Sequence, residues 1–70
     1  MIEKWTGRLI GKMHNNGVSM ADLATELGVT KAYISMILNG ARKPPGARER
    51  LEAAVTEIIK KRKEGELESG

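Results

Sequence analysis

The 70-residue chain contains no cysteine and no phenylalanine, and it has only one tryptophan and one tyrosine. The lack of cysteine excludes disulfides, thiolate catalysis and cysteine-based zinc sites. The one histidine, His14, does not supply the ligand set that a bound zinc ion needs. We therefore expect no metal site and no cofactor.

Long hydrophobic runs are absent as well, since the longest apolar stretches are two or three residues. A transmembrane helix needs roughly 20 apolar residues, and a secretory signal peptide needs an apolar core near the N-terminus. The hydrophobic fraction of 40% is ordinary for one small folded domain. These features predict a reduced, cytoplasmic domain with no membrane partner.

Positive charge is concentrated in the first two-thirds of the chain. Residues 47–70 carry six basic and six acidic side chains, so the formal net charge of +3 arises from residues 1–46. Those residues hold three carboxylates and six basic side chains, which are Lys4, Arg8, Lys12, Lys31, Arg42 and Lys43. An excess of positive charge favours a polyanionic partner.

Apolar residues recur at helical spacing, and no segment alternates with the period of two that a strand shows. This pattern predicts an all-α fold of four helices, or five, as one compact domain over residues 1–63. The predicted helices are residues 2–15, 20–27, 31–38 and about 47–63, and the apolar stripe of the first is Ile2, Trp5, Leu9, Ile10 and Met13. Residues 64–70 are acidic and interrupted by glycine, which predicts a flexible tail.

Residues 20–39 have the pattern of a helix-turn-helix, in which a three-residue turn containing a glycine joins two short helices. Ser19 with Asp22, and then Thr30, are the capping residues expected before the two helices. Counted from residue 20 as position one, the seven diagnostic positions 4, 5, 8, 9, 10, 15 and 18 are Leu23, Ala24, Leu27, Gly28, Val29, Ile34 and Ile37. All seven fit, because the motif needs apolar or small residues there and a glycine at position nine for a positive φ.

Residues 17–44, GVSMADLATELGVTKAYISMILNGARKP, resemble the lambda-repressor-like helix-turn-helix family of the Cro and xenobiotic-response-element type. The resemblance implies a DNA-binding domain of a bacterial or bacteriophage regulator, associated with the nucleoid. Many members of the family begin the second helix with a glutamine that binds a backbone phosphate. Met20 stands at that place here, so this phosphate contact is not expected.

The third helix, residues 31–38, is the predicted recognition helix, since the second helix of this motif enters the major groove. Its non-core face bears no carboxylate, and the expected base contacts are Lys31, Ala32, Ser35 and Met36. The expected contacts to the DNA backbone, which position the protein without reading sequence, are Thr30, Tyr33, Asn39, Arg42 and Lys43.

One recognition helix reads only a few base pairs, so we expect a homodimer on a pseudo-palindromic operator with half-sites about 34 Å apart. The predicted dimer surface is the apolar stripe of the fourth helix at Val55, Ile58 and Ile59, and packing within one chain is the alternative for these residues.

The sequence favours one class of function, leaves a second as the alternative and disfavours a third. The favoured one is a sequence-specific regulator of transcription, a Cro-like repressor that binds double-stranded DNA and has no catalytic role. The alternative is a protein-interaction module, antitoxin-like or an adaptor, that uses the same fold. An enzyme is disfavoured because His14, Asp22 and three serines do not make an active site without a pocket or an oxyanion site.

Overall fold

The computed structural model describes the backbone of residues 4–69 and the side chains of residues 4–65. This part of the chain forms four helices and no strand, as the all-α prediction requires, and no fifth helix is present in it. The helices are α1 (Lys4–Asn15), α2 (Met20–Leu27), α3 (Lys31–Leu38) and α4 (Ala47–Ser69). None of these helices combines the length and the apolar character that a membrane span requires.

Local sequence sets the boundaries of α2 and α3. The Ser19 hydroxyl accepts from the backbone N–H of Asp22 at 3.0 Å, and the Asp22 carboxylate accepts from the N–H of Ser19 at 2.9 Å, which completes a capping box. The Thr30 hydroxyl likewise accepts from the N–H of Tyr33 at 3.1 Å. Gly28 ends α2 in the left-handed region, with φ of 70°, where a Cβ would strain the turn. The predicted helix-turn-helix geometry is therefore present.

The hydrophobic core lies where α2 packs against α3 and α4 and where α1 covers the remaining side. Its fully buried aliphatic side chains are Leu23, Ile34 and Val55, one from each of α2, α3 and α4. Trp5 packs against this core while half-buried. Because the core includes buried residues from all four helices, the buried face of α3 fixes this helix to the rest of the domain and its opposite face remains in solvent.

The core differs from the predicted one at both ends of the chain. Ile10, expected in the buried stripe of α1, is 44% exposed because it lies at the edge of the contact between α1 and α3. Ile2, expected in the same stripe, lies outside the described residues. Val55 is 0% exposed and Ile58 is 8% exposed, so these two side chains pack within one chain, which is the alternative that the sequence left open for them. Ile59 is half-buried against the same core.

Helix α4 is longer than the sequence predicts. The predicted helix ends at about Lys63, whereas the observed backbone remains helical from there to Ser69. The segment expected to be a flexible tail therefore has helical backbone over residues 64–69, and Gly70 lies outside the described residues. One glycine, Gly65, costs a helix about 1 kcal/mol relative to alanine, which is too little to end it without a proline or a competing cap.

Two side chains in the C-terminal half of α4 connect it to both ends of α2. Lys61 Nζ donates to both carboxylate oxygens of Glu26, at 3.0 and 3.3 Å, and this contact raises the pKa of Lys61. Arg62 donates to Asp22 Oδ2 at 2.9 Å. These two contacts therefore hold both ends of α2 to residues 61 and 62 of α4 across a long separation in sequence.

The lowered pKa of the Asp22 carboxyl predicts how the stability of the fold changes in acid. Hydrogen bonds from the backbone and side chain of Ser19, and then the Arg62 guanidinium, lower its pKa below the ordinary value of 3.8. A carboxyl whose pKa is lower in the folded state stabilises the fold above its ordinary pKa, and this contribution is lost as the pH falls through the folded-state value. Thermal unfolding followed by circular dichroism from pH 7 to pH 2 should therefore show a smaller acid-induced loss of stability for Asp22→Asn than for the natural chain. Parallel curves for the two proteins below pH 4 would contradict the lowered pKa.

Candidate nucleic-acid interface

The outward face of α3 is accessible to a ligand. Lys31 and Ala32 are exposed, and Ser35 and Met36 are half-buried at the edges of the same face. None of the four predicted base-contacting residues is enclosed in the domain. The face bears no carboxylate, so nothing on α3 itself repels a polyanion.

The N-terminal end of α3 also carries groups that can bind an anion. Thr30 is exposed, and while its oxygen accepts from Tyr33, its hydroxyl proton remains able to donate. The N–H groups of Lys31 and Ala32 precede the first bond within the helix, so they are donors at the positive end of the helix dipole. The predicted backbone contact at Thr30 thus lies beside the predicted base contacts at the next two residues.

The loop after α3 is held in a fixed conformation by main-chain hydrogen bonds. The N–H of Arg42 donates to the carbonyl of Met36 at 3.1 Å, and Asn39 Oδ1 accepts from the N–H of Ala41 at 2.9 Å. Gly40 takes a φ of 83° within this turn. As a result, the exposed side chains of Arg42 and Lys43 lie directly after the C-terminal end of α3. Asn39, also exposed, uses its oxygen in the turn, which leaves its amide nitrogen as the donor for a phosphate.

A further cation, Arg50, lies on this side of α3, although the sequence pattern predicts no role for it at the site. The exposed residue Arg50 lines a shallow depression together with Tyr33 of α3 and Pro44 of the loop. Tyr33 is half-buried there, at the side of α3. The sequence signal for Arg50 is weak, because only the turn made by the loop brings the first part of α4 beside α3.

An open groove of about 390 Å³ borders the opposite side of α3. Met20 is half-buried in its wall and packs against the core, and Ser35 and Asn39 form the edge that the groove shares with α3. The Met20 side chain is therefore an apolar packing group and makes no phosphate contact of the kind a glutamine could make. The lining of the groove is Ile10, Met13, His14, Val18, Met20, Ser35, Leu38 and Asn39.

Two basic side chains of α1, Arg8 and Lys12, belong to a different surface. Arg8 and Lys12 line a groove of about 350 Å³ between α1 and α4, with Glu52 on its other wall and no residue from α2 or α3. These cations are separated from the outward face of α3 by the body of α1.

In the part of the chain that the structure describes, no group of three or more histidine, aspartate or glutamate side chains is arranged to hold a metal ion.

Comparison with known proteins agrees with this geometry. A family model described as helix-turn-helix matches residues 13–48, which is just over half of the chain. The chain belongs to the lambda-repressor-like helix-turn-helix family. The matched segment contains all of α2 and α3, the loop with Arg42 and Lys43, and the first residues of α4. No curated protein and no solved structure matches the chain.

Membership of this family makes the protein a DNA-binding regulator of transcription of the helix-turn-helix type. In helix-turn-helix proteins generally, the second helix of the motif enters the major groove. Most of α1 and most of α4 lie outside the matched residues. Features of those two helices are therefore not supplied by the family match.

Proposed function

We propose that the protein binds double-stranded DNA sequence-specifically, with α3 in the major groove, and that it acts as a Cro-like repressor. The observation that carries this proposal is the outward face of α3, which is accessible, lacks carboxylates and is bordered by the cations of the following loop. Lys31 reaches guanine O6 or N7, Ser35 hydrogen-bonds a base edge, and Ala32 and Met36 contact thymine methyl groups. These four residues determine which bases are preferred.

Phosphate contacts hold α3 in register on the duplex. On one side they come from Tyr33, Arg42, Lys43 and the added residue Arg50. At the helix ends they come from Thr30 and Asn39 and from the first-turn N–H groups of α2 and α3. Met20 does not replace the missing glutamine, so the N–H groups at the start of α2 carry the contact on that side.

The protein acts as a homodimer on a pseudo-palindromic operator, because one helix of eight residues reads too few base pairs for specific binding. Val55 and Ile58 are not part of the dimer surface, since both are buried in the core. Ile59 is the one residue of the predicted set that keeps some exposure. Two half-sites about 10 base pairs apart, centre to centre, are expected in the operator.

Selection of binding sites from random duplex DNA with the purified protein tests this proposal. We expect an enriched sequence with two related half-sites, bound much more tightly than random DNA at physiological salt. Weak binding with no enriched sequence and a steep salt dependence would overturn it and would favour an adaptor or antitoxin-like module of the same fold. An enriched single half-site would support base reading but contradict the dimer.

Arg42→Ala should weaken binding to the selected operator and to random DNA by similar factors, because Arg42 contacts phosphate and reads no base. The slope of log affinity against log salt concentration should become less negative by about one, as expected for the loss of one phosphate contact. Fluorescence anisotropy titrations at several salt concentrations measure both quantities. Lys12→Ala is the matched control, since it also removes one positive charge, but from the groove between α1 and α4 and not from the loop beside α3. A loss of affinity confined to the operator, or an equal change in slope for the control, would refute the role of Arg42.

A further inference from the structure

Arg62 of α4 makes three hydrogen bonds to the segment that begins α2. Its Nη1 donates to the main-chain carbonyl of Asn16 at 3.2 Å and to that of Gly17 at 2.8 Å. Its Nη2 donates to Asp22 Oδ2 at 2.9 Å. Arg62 lies beyond the residues 13–48 that match the family, so the family match does not supply this contact.

These bonds fix both the turn before α2 and the residue that caps it. The Asp22 oxygen that accepts from Arg62 also accepts from the N–H of Ser19, so one carboxylate connects the cap to α4. With the N–H groups of Ser19 and Asp22 used by the capping box, those of Met20 and Ala21 are the donors left at the start of α2. The orientation of these two donors therefore depends on the turn that Arg62 holds.

Arg62 also changes the charge at this end of α2. The Asp22 carboxylate is half-buried and lies within one helical turn of Met20 and Ala21, where an approaching phosphate would meet a negative charge. The guanidinium 2.9 Å away offsets that charge. Loss of Arg62 would leave the carboxylate without its cation beside the DNA backbone.

We propose that Arg62 is a positioning residue for DNA binding, which orients the start of α2 against the DNA backbone and neutralises Asp22 there. The proposal rests on the proposed function, because it concerns the phosphate contact at the start of α2. It extends the DNA-binding unit beyond the helix-turn-helix to the C-terminal part of α4. Arg62 itself touches no nucleotide in this arrangement.

The adjacent residue, Lys61, provides a closely matched control. Lys61 also links α4 to α2, but it binds only the carboxylate of Glu26, which lies in the second half of that helix. Replacing either residue with glutamine removes one positive charge and one ion pair between the same two helices. The two variants differ in that only Arg62→Gln frees the turn carbonyls and the capping carboxylate.

The test compares the natural chain, Arg62→Gln, Lys61→Gln and Arg62→Lys in anisotropy titrations with the selected operator, well below each protein's melting temperature. Circular dichroism establishes that each variant is folded at the assay temperature. We expect affinity to fall about tenfold more for Arg62→Gln than for Lys61→Gln, as the loss of a charge-assisted hydrogen bond that fixes geometry implies. Arg62→Lys should recover only part of the loss, since an ammonium replaces the charge but not the fork that spans carbonyl and carboxylate.

Amide hydrogen exchange of the folded variants gives a second readout. Faster exchange confined to residues 16–22 in Arg62→Gln, with α3 unchanged, is expected from a positioning role. Equal affinities for folded Arg62→Gln and Lys61→Gln would overturn the proposal even if Arg62→Gln melts at a lower temperature, because that result marks a purely stabilising contact. If the natural chain selects no operator, the proposed function itself fails, and this outcome is distinct from an operator bound equally by both variants.

Discussion

Ala32→Glu should abolish operator binding while leaving the fold intact. Ala32 is exposed in the first turn of α3, at the centre of the face assigned to the major groove. A carboxylate there lies among phosphates and base-edge acceptors, and like-charge contacts across an interface cost several kcal/mol, so affinity should fall by about 100-fold or more. The same charge lies at the favourable end of the α3 dipole, so the free energy of unfolding should change by less than about 1 kcal/mol.

Thr56→Glu is the control for this variant. Thr56 is exposed on α4 and lines the groove between α1 and α4, so the substitution adds the same charge on a surface assigned to no nucleic acid. Anisotropy titrations with the selected operator should show near-normal affinity for Thr56→Glu and no measurable specific binding for Ala32→Glu. Similar affinities for the two folded variants would show that the outward face of α3 does not meet the bases.

The helix-turn-helix could be predicted in detail because its determinants are local. Ser19, Thr30 and Gly28 each act within three or four residues, through a cap or a positive φ, and each has the expected geometry. The accessible face of α3 follows from helical periodicity once Ile34 and Ile37 are assigned to the core. Nothing outside residues 19–40 is needed for these conclusions.

Contacts that depend on long-range packing could not be predicted in the same way. Lys61 illustrates this, because its hydrogen-bonded partner is Glu26 of α2, which lies 35 residues earlier in the chain. Arg50 and Arg62 acquire their neighbours only when α4 folds back over α2 and α3. Periodicity identifies an apolar stripe on α4 but does not say whether the stripe meets its own chain or a second one.

Val55→Asp distinguishes those two possibilities for the apolar stripe of α4. Val55 is 0% exposed within one chain, so the substitution buries a carboxylate with no cation to pair with it. An unpaired buried charge costs several kcal/mol, which is comparable to the roughly 5 kcal/mol that stabilises a small domain. We expect Val55→Asp to be unfolded by circular dichroism at every protein concentration, whereas a residue at a dimer surface would give a folded monomer.

Thr56→Asp tests whether that effect comes from burial or from a carboxylate on α4. It places the same side chain one residue further along the helix but in solvent, so it should remain helical and melt cooperatively. A folded, monomeric Val55→Asp would reverse the assignment and return the stripe to an interface between copies. If Val55→Asp is unfolded while Thr56→Asp is folded, the contact between two copies on the operator must use other residues. For the proposed homodimer, the surface must then be sought on faces that the single chain leaves in solvent, because α4 already packs its apolar side against α1 and α2.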